Sequence, residues 1–325
     1  MNIAQLLFPD FSLILTGYLL CRLTALNRSV WGPIDGLVYH FLFPVLLFHS
    51  IVRHPLQLSS VSSLGAAGLC LAAVGIALGY SWPRWPIWPA WPLPGKQMTG
   101  VDPLRLHAAS AQVGFRFNSF IALALVDKVA GPQGTQLVAV LIGLCVPVFN
   151  MGAVVPMHRN RHLLGTGSHG NGKPPSLLAE LMRNPLILAT TTGLAANLAG
   201  LHIPVWLEPT VTRIGGASLA LGLMAAGAGM QMGSLARAKT LAVLVLLQRH
   251  LLLPLAAVVI AKWWGLNETE TTVFLMFSAL PTASTCYVLA ARMGYDGGYV
   301  AGLVTLSTVL GMVSLPLALG PLKAL

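Results

Sequence analysis

The chain has 325 residues, of which 55% are hydrophobic and only 9% charged, with a mean hydropathy of +0.75. Soluble domains carry about 25% charged residues, so this chain has too few ionised groups to cover a water-facing surface and reads as a membrane protein. Its net charge of +10 comes from Lys and Arg scattered between apolar runs without aromatic-interleaved clusters, which is how loops on a cytoplasmic face look and not a nucleic-acid footprint.

Apolar runs of about 18–25 residues match the length needed to cross about 30 Å of hydrocarbon. They predict ten membrane helices, at residues 6–22, 33–52, 63–81, 107–126, 135–157, 178–199, 207–231, 240–261, 270–291 and 297–319. The first run follows Met1-Asn2-Ile3-Ala4-Gln5, with neither a basic n-region nor a small-residue cleavage site, and is expected to be a retained span. After the third run comes a Trp/Pro-rich loop at 82–94, in which Trp82, Trp85, Trp88 and Trp91 recur at every third residue. Proline at that density favours polyproline II with about three residues per turn, so the indoles share one face. That face suits the headgroup level of a membrane or a docked partner.

The fourth run is interrupted by Gly114-Phe115-Arg116-Phe117-Asn118-Ser119, and the ninth by Ser278-Ala279-Leu280-Pro281-Thr282-Ala283-Ser284. Helices broken at corresponding positions of two halves point to the binding site of a transporter. Breaking a helix in a bilayer exposes backbone groups at several kcal/mol each, so a break persists only inside protein or beside a water-filled cavity. Asn118, Ser119, Thr282 and Ser284 supply donors and acceptors there, and the half-helix N-termini attract anions.

Between the fifth and sixth runs, residues 158–176 hold Arg159, Arg161, Lys173, several Gly and a Pro-Pro pair. This is the expected cytoplasmic linker between a first five-helix repeat at 1–157 and a second at 177–325. An odd number of spans per half inverts the second relative to the first. With the N-terminus outside, twelve Lys and Arg fall on inner segments and five on outer ones, which predicts both termini on the periplasmic side.

Two cations, Arg116 and Arg249, lie within spans, whereas all nine acids fall in loops or near span ends. A cation or proton exchanger is expected to carry an intramembrane carboxylate, so the balance favours an anionic substrate. Arg249 lies about 13 Å into the eighth span at 1.5 Å per residue, where a charge costs about 2.5–3.5 kcal/mol. It is expected either to bind carbonyls at a broken-helix end or to attract substrate.

HExxH, GxSxG and Walker motifs are missing, so neither enzyme activity nor ATP-driven transport is expected. The cysteines Cys21, Cys70, Cys145 and Cys286 lack metal-ligand spacing. No cofactor or metal is expected.

Phe115-Arg116-Phe117-Asn118-Ser119-Phe120-Ile121, Arg183-Asn184-Pro185-Leu186-Ile187, Ala279-Leu280-Pro281-Thr282-Ala283-Ser284 and Val304-Thr305-Leu306-Ser307-Thr308 together resemble the auxin efflux carrier family, in its bacterial branch. The resemblance implies an all-α polytopic protein of ten transmembrane helices in two inverted five-helix repeats, with crossover helices at spans 4 and 9. It further implies a scaffold and a transport domain, and elevator-type carriage of small organic anions, auxin-like or dicarboxylate, across a bacterial inner membrane. The Trp/Pro loop and the short linker depart from the family pattern and leave substrate and regulation open.

Arg116, Asn118, Ser119, Arg249, Pro281, Thr282 and Ser284 are the expected substrate-binding residues. The expected partners are a small organic carboxylate and the lipid bilayer, with a homodimer left open. The alternatives are a sodium-coupled organic-anion symporter of the bile-acid-symporter type and a non-transporting membrane sensor.

Overall fold

The structure is a computed structural model that describes residues 3–53, 58–84, 103–160, 183, 185–230, 235, 238–283, 285–321 and 323. The Trp/Pro stretch beyond Arg84, most of the linker and Ser284 lie outside the described residues. Among the described residues every regular element is helical. In chain order these are α1 (Ile3–Leu23), α2 (Arg28–Val52), α3 (Leu58–Ser81), α4 (Pro103–Ser110), α5 (Ser119–Arg159), α6 (Pro185–Leu198), α7 (Glu208–Ala228), α8 (Lys239–Trp263), α9 (Glu268–Ala279), α10 (Thr285–Arg292) and α11 (Gly297–Leu319).

Five described segments are long and apolar enough to cross a membrane: Arg28–Val52, Ser63–Arg84, Gln133–Arg159, Lys239–Trp263 and Gly297–Leu319. Val205, Trp206, Val259 and Trp263 are 63–85% exposed. Such a surface is unfavourable in water and suits hydrocarbon and its interfaces, where tryptophan concentrates.

Local sequence explains the irregular turns. α2 and α8 each contain one wide π turn, at Val38–Leu42 and at Gln248–Leu252, just before a proline. Pro44 and Pro254 lack an N–H and collide with the carbonyl four residues back. The turn widens, and Phe43 N–H bonds Val38 O while Leu253 N–H bonds Gln248 O, five residues back. In α5 the chain bends at Gly131, whose φ is 61°.

The helices pack as two groups. α1 runs along α7, and α2 along α6 and α7, whereas α3, α4, α5, α8, α9, α10 and α11 pack around the two interruptions. The crossing of α1 and α7 is backbone to backbone. A Cβ on Gly227 would stand 1.8 Å from Ile14 O, and one on Gly17 1.9 Å from Met224 O, the close approach that small residues permit between helices in lipid. α2 and α6 also contact α5, which joins the two groups.

Candidate functional site

The helical course is interrupted at both places where the sequence is irregular. α4 tightens into a 3-10 turn at Ala111–Gly114, and residues 115–118 leave the helix before α5 starts at Ser119. α9 ends at Ala279, and residues 280–283 are non-helical before α10. The two interruptions meet: Asn118 N–H donates to Pro281 O at 2.8 Å. Asn118 also caps α5, its Oδ1 accepting from Ile121 N–H at 3.3 Å.

Neighbouring helices satisfy other backbone groups of the breaks. Arg249 Nε donates to Leu280 O at 2.6 Å and its Nη2 to Phe277 O at 3.2 Å. A cation at the C-terminal carbonyls of α9 is favoured by both hydrogen bonding and the helix dipole. Of the two roles open for Arg249 in the sequence, its contacts are those of carbonyl binding. Ser314 Oγ donates to Ala279 O at 3.0 Å, and Thr282 N–H donates to Ser307 Oγ at 3.0 Å.

His250 bridges these two serines, with Nδ1 2.9 Å from Ser314 Oγ and Nε2 2.9 Å from Ser307 Oγ. Because the Ser314 hydroxyl is already donated to Ala279, the bonding assigns the proton to Nδ1 and leaves Nε2 to accept from Ser307. Gly311 makes room for the second break: a Cβ there would lie 2.3 Å from Pro281 Cγ.

A small pocket of about 30 Å³ lies against the first break, above the roughly 10–15 Å³ a cavity needs to hold a water. Its polar lining is Arg116, Asn118, Ser119, Asn150 and Thr285, and its apolar lining includes Phe43, Phe117 and Phe149. No acid lines it among the described residues. Arg116 is buried, and its Nη1 donates to Gln112 Oε1 at 2.8 Å and its Nη2 to Thr285 Oγ1 at 2.9 Å. The guanidinium thereby spans from the first break to the start of α10.

Arg116, Asn118 and Ser119 therefore share one pocket. Pro281 joins them through its carbonyl, Thr282 is buried and turned toward Ser307 and Cys286, and Arg249 lies outside that lining. Phe43, Phe149 and Asn150 were not singled out from the sequence. The available signal for Asn150 was that it is the sole Asn or Gln between Leu137 and Met157, three residues after Pro147.

A larger cavity of about 310 Å³ lies between α2, α7 and α10, lined by Arg28, Trp31, Asp35 and Tyr287 together with small residues. Tyr287 Oη donates to the Asp35 carboxylate, and Arg28 Nη2 donates to Gly229 O at 3.0 Å. These contacts tie α10 to α2 and α2 to the end of α7.

Residues 173–319 match the family described as membrane transport protein. The chain is also 24% identical to the uncharacterized transporter YfdV of Escherichia coli (strain K12) over 315 residues, covering 94% of this chain and 93% of that one. An uncharacterized transporter of Methanothermobacter thermautotrophicus is 24% identical over 309 residues, again covering 94% of this chain and 93% of the relative. The irregular helices, their apolar surroundings and these likenesses all point toward membrane transporters, with the family likeness lying in residues 173–319.

Proposed function

We infer that this membrane transporter is a secondary carrier of small organic anions, working by elevator-type alternating access across a bacterial inner membrane. The observation that carries this reading is the meeting of the two breaks beside a pocket lined by a guanidinium and, among the described residues, by no acid. A carboxylate bound there is held by Arg116, Asn118 and Ser119. Aromatic side chains from α2 and α5 cover its apolar body and keep water out, which strengthens the electrostatic attraction.

The architecture proposed is ten spans in two inverted repeats, at 1–157 and 177–325, joined by a cytoplasmic linker at 158–176. The packing supports it: α1 and α2 of the first half group with α6 and α7 of the second, and the broken helices of both halves group together. The first group is the scaffold and the second the moving body. Both cavities border α2 and α10, with Phe43 in the smaller and Asp35 and Gly36 in the larger. Seven or eight residues of helix separate these positions, roughly 10–12 Å at 1.5 Å per residue. The larger cavity is the vestibule and the smaller one the contracted site, which widens as substrate arrives. Arg28 draws anions into the vestibule from the side that the positive-inside rule makes cytoplasmic.

The test is binding and flux on purified protein. A thermal-shift screen over mono- and dicarboxylates, including indole-3-acetate and malonate, should find a stabilising ligand, since about 100 times the Kd gives roughly 2.7 kcal/mol. Asn118→Ala should weaken that ligand while the protein stays monodisperse. Unchanged binding in Asn118→Ala refutes the site at the break, and binding without flux into liposomes refutes transport in favour of a sensor. Flux that requires a sodium gradient identifies a symporter.

A further inference from the structure

Among the polar side chains that line the small pocket, those of Arg116, Asn118 and Thr285 are paired with protein partners. Arg116 bonds Gln112 and Thr285, and Asn118 bonds Pro281 and Ile121. Asn150 of α5 is 2% exposed, its Nδ2 is buried without a hydrogen-bond partner, and its side chain lines the pocket. A primary amide brings two N–H donors. Buried polar groups are almost always satisfied, so a donor left open at the wall of a cavity is waiting for something the cavity holds.

The same pocket is lined by the first break, which carries the Arg116 guanidinium. A neutral acceptor such as water answers the Asn150 amide alone. A carboxylate answers both, because one oxygen takes the amide N–H while the charge faces Arg116. We propose that Asn150 is a substrate-contacting residue that donates a hydrogen bond to the carboxylate of the transported anion. This rests on the organic-anion reading above. It adds a polar contact from the later part of α5 to a site whose other proposed polar contacts come from the first break and the start of α5. In the contracted state the pocket has room for water at the amide, and the carboxylate displaces it.

The open donor makes a prediction that a structural asparagine does not. Asn150→Leu removes an unsatisfied buried group and keeps a similar volume, so ligand-free protein should melt at the wild-type temperature or above. The same change should weaken the stabilising carboxylate by about tenfold or more, the equivalent of one hydrogen bond to a charged group. Asn150→Asp keeps the shape, replaces the donor by an acceptor and places a negative charge toward the substrate, and it should abolish binding and uptake.

The experiment measures melting temperature with and without malonate and indole-3-acetate, and uptake of the one that binds into proteoliposomes, for wild type, both variants and Asn118→Ala. Wild-type affinity in Asn150→Asp overturns the proposal, as does an Asn150→Leu protein that loses stability and binding together while Asn150→Asp binds. If Asn150→Leu does not fold, loss of binding in a folded Asn150→Asp upholds it. Binding that fails in Asn118→Ala and persists in Asn150→Asp refutes the role of Asn150 alone. A wild type that no carboxylate stabilises overturns this proposal and the organic-anion reading together.

Discussion

Replacing Arg249 by methionine should destabilise the protein even when no substrate is present. The side chain is 2% exposed, and its guanidinium donates to Leu280 O at 2.6 Å and Phe277 O at 3.2 Å, with Phe115 O at 3.5 Å. Two good bonds from a charged donor contribute roughly 1.5–3 kcal/mol each, so about 3–6 kcal/mol together. Against this stands the roughly 2.5–3.5 kcal/mol cost of a central arginine in a membrane helix. The midpoints of these ranges leave a net loss of about 1.5 kcal/mol for Arg249→Met. Arg249→Lys should recover only part of that loss, because an ammonium is a point donor and lacks the planar fork that reaches two carbonyls. The assay is reversible unfolding or thermal inactivation of the detergent-solubilised protein without ligand. A residue that serves only to attract substrate would leave ligand-free stability unchanged or raise it by removing a buried charge. Equal stability of wild type and Arg249→Met therefore refutes the carbonyl-binding role.

Two further substitutions probe the same construction. Gly311→Ala places a methyl group 2.3 Å from Pro281 Cγ, so the second break must shift. Overpacking of this kind costs about 1–3 kcal/mol, and carboxylate affinity should fall with it, read as a smaller ligand-induced rise in melting temperature. Wild-type affinity in a folded Gly311→Ala protein would show that the Pro281 position is not critical. Tyr287→Phe removes the hydroxyl that bonds Asp35 across the α2–α10 seam, a contact the proposed elevator motion has to break. Uptake rate should change while equilibrium affinity at the break stays within about twofold, the range expected when one hydrogen bond far from the ligand is lost. A change in affinity without a change in rate would put Tyr287 in the binding site instead.

The parts of this molecule that were legible in the sequence are those governed by local chemistry. The helices at Lys239–Trp263 and Gly297–Leu319 stand where continuous apolar runs predicted them. The interruptions were legible because Pro281 cannot donate to a helix ladder and because Arg116 and Asn118 are costly in an apolar run. What could not be read is which faces meet. Phe43 reaches the pocket from α2 and Asn150 from the far part of α5, beyond the bend at Gly131, and a hydrophobic run that is apolar all round has no periodicity to show which side turns inward. The π turns before Pro44 and Pro254 were likewise out of reach, since a proline in a membrane helix is accommodated by a kink, a neighbour or a widened turn according to its surroundings. Arg249 illustrates the boundary between the two. Its depth was legible, but the choice between carbonyls and substrate depended on where α9 ends in space.

Accounting for the backbone at the breaks changes the picture of how such a site attracts an anion. From sequence, the starts of the two half-helices look like ready anion sites, with free N–H groups and a partial positive charge. In the structure much of that capacity is engaged internally. Ile121 N–H is taken by Asn118 Oδ1, Asn118 N–H by Pro281 O, Thr282 N–H by Ser307, and Cys286 N–H by Ala283 O. The carbonyls freed at the end of α9 are answered in turn by Arg249 and Ser314, and Gln112 beside the first break reaches Cys286 O in α10 at 3.2 Å. Backbone groups that could have bound substrate instead hold the two breaks to each other and to α8 and α11. In the proposed reading, recognition falls to side chains set on that frame, Arg116 for charge and Asn150 for a directed hydrogen bond. Such a division lets the paired breaks move as one rigid piece without exposing unsatisfied backbone to hydrocarbon. The proposed elevator motion, in which the site travels while staying intact, requires that property.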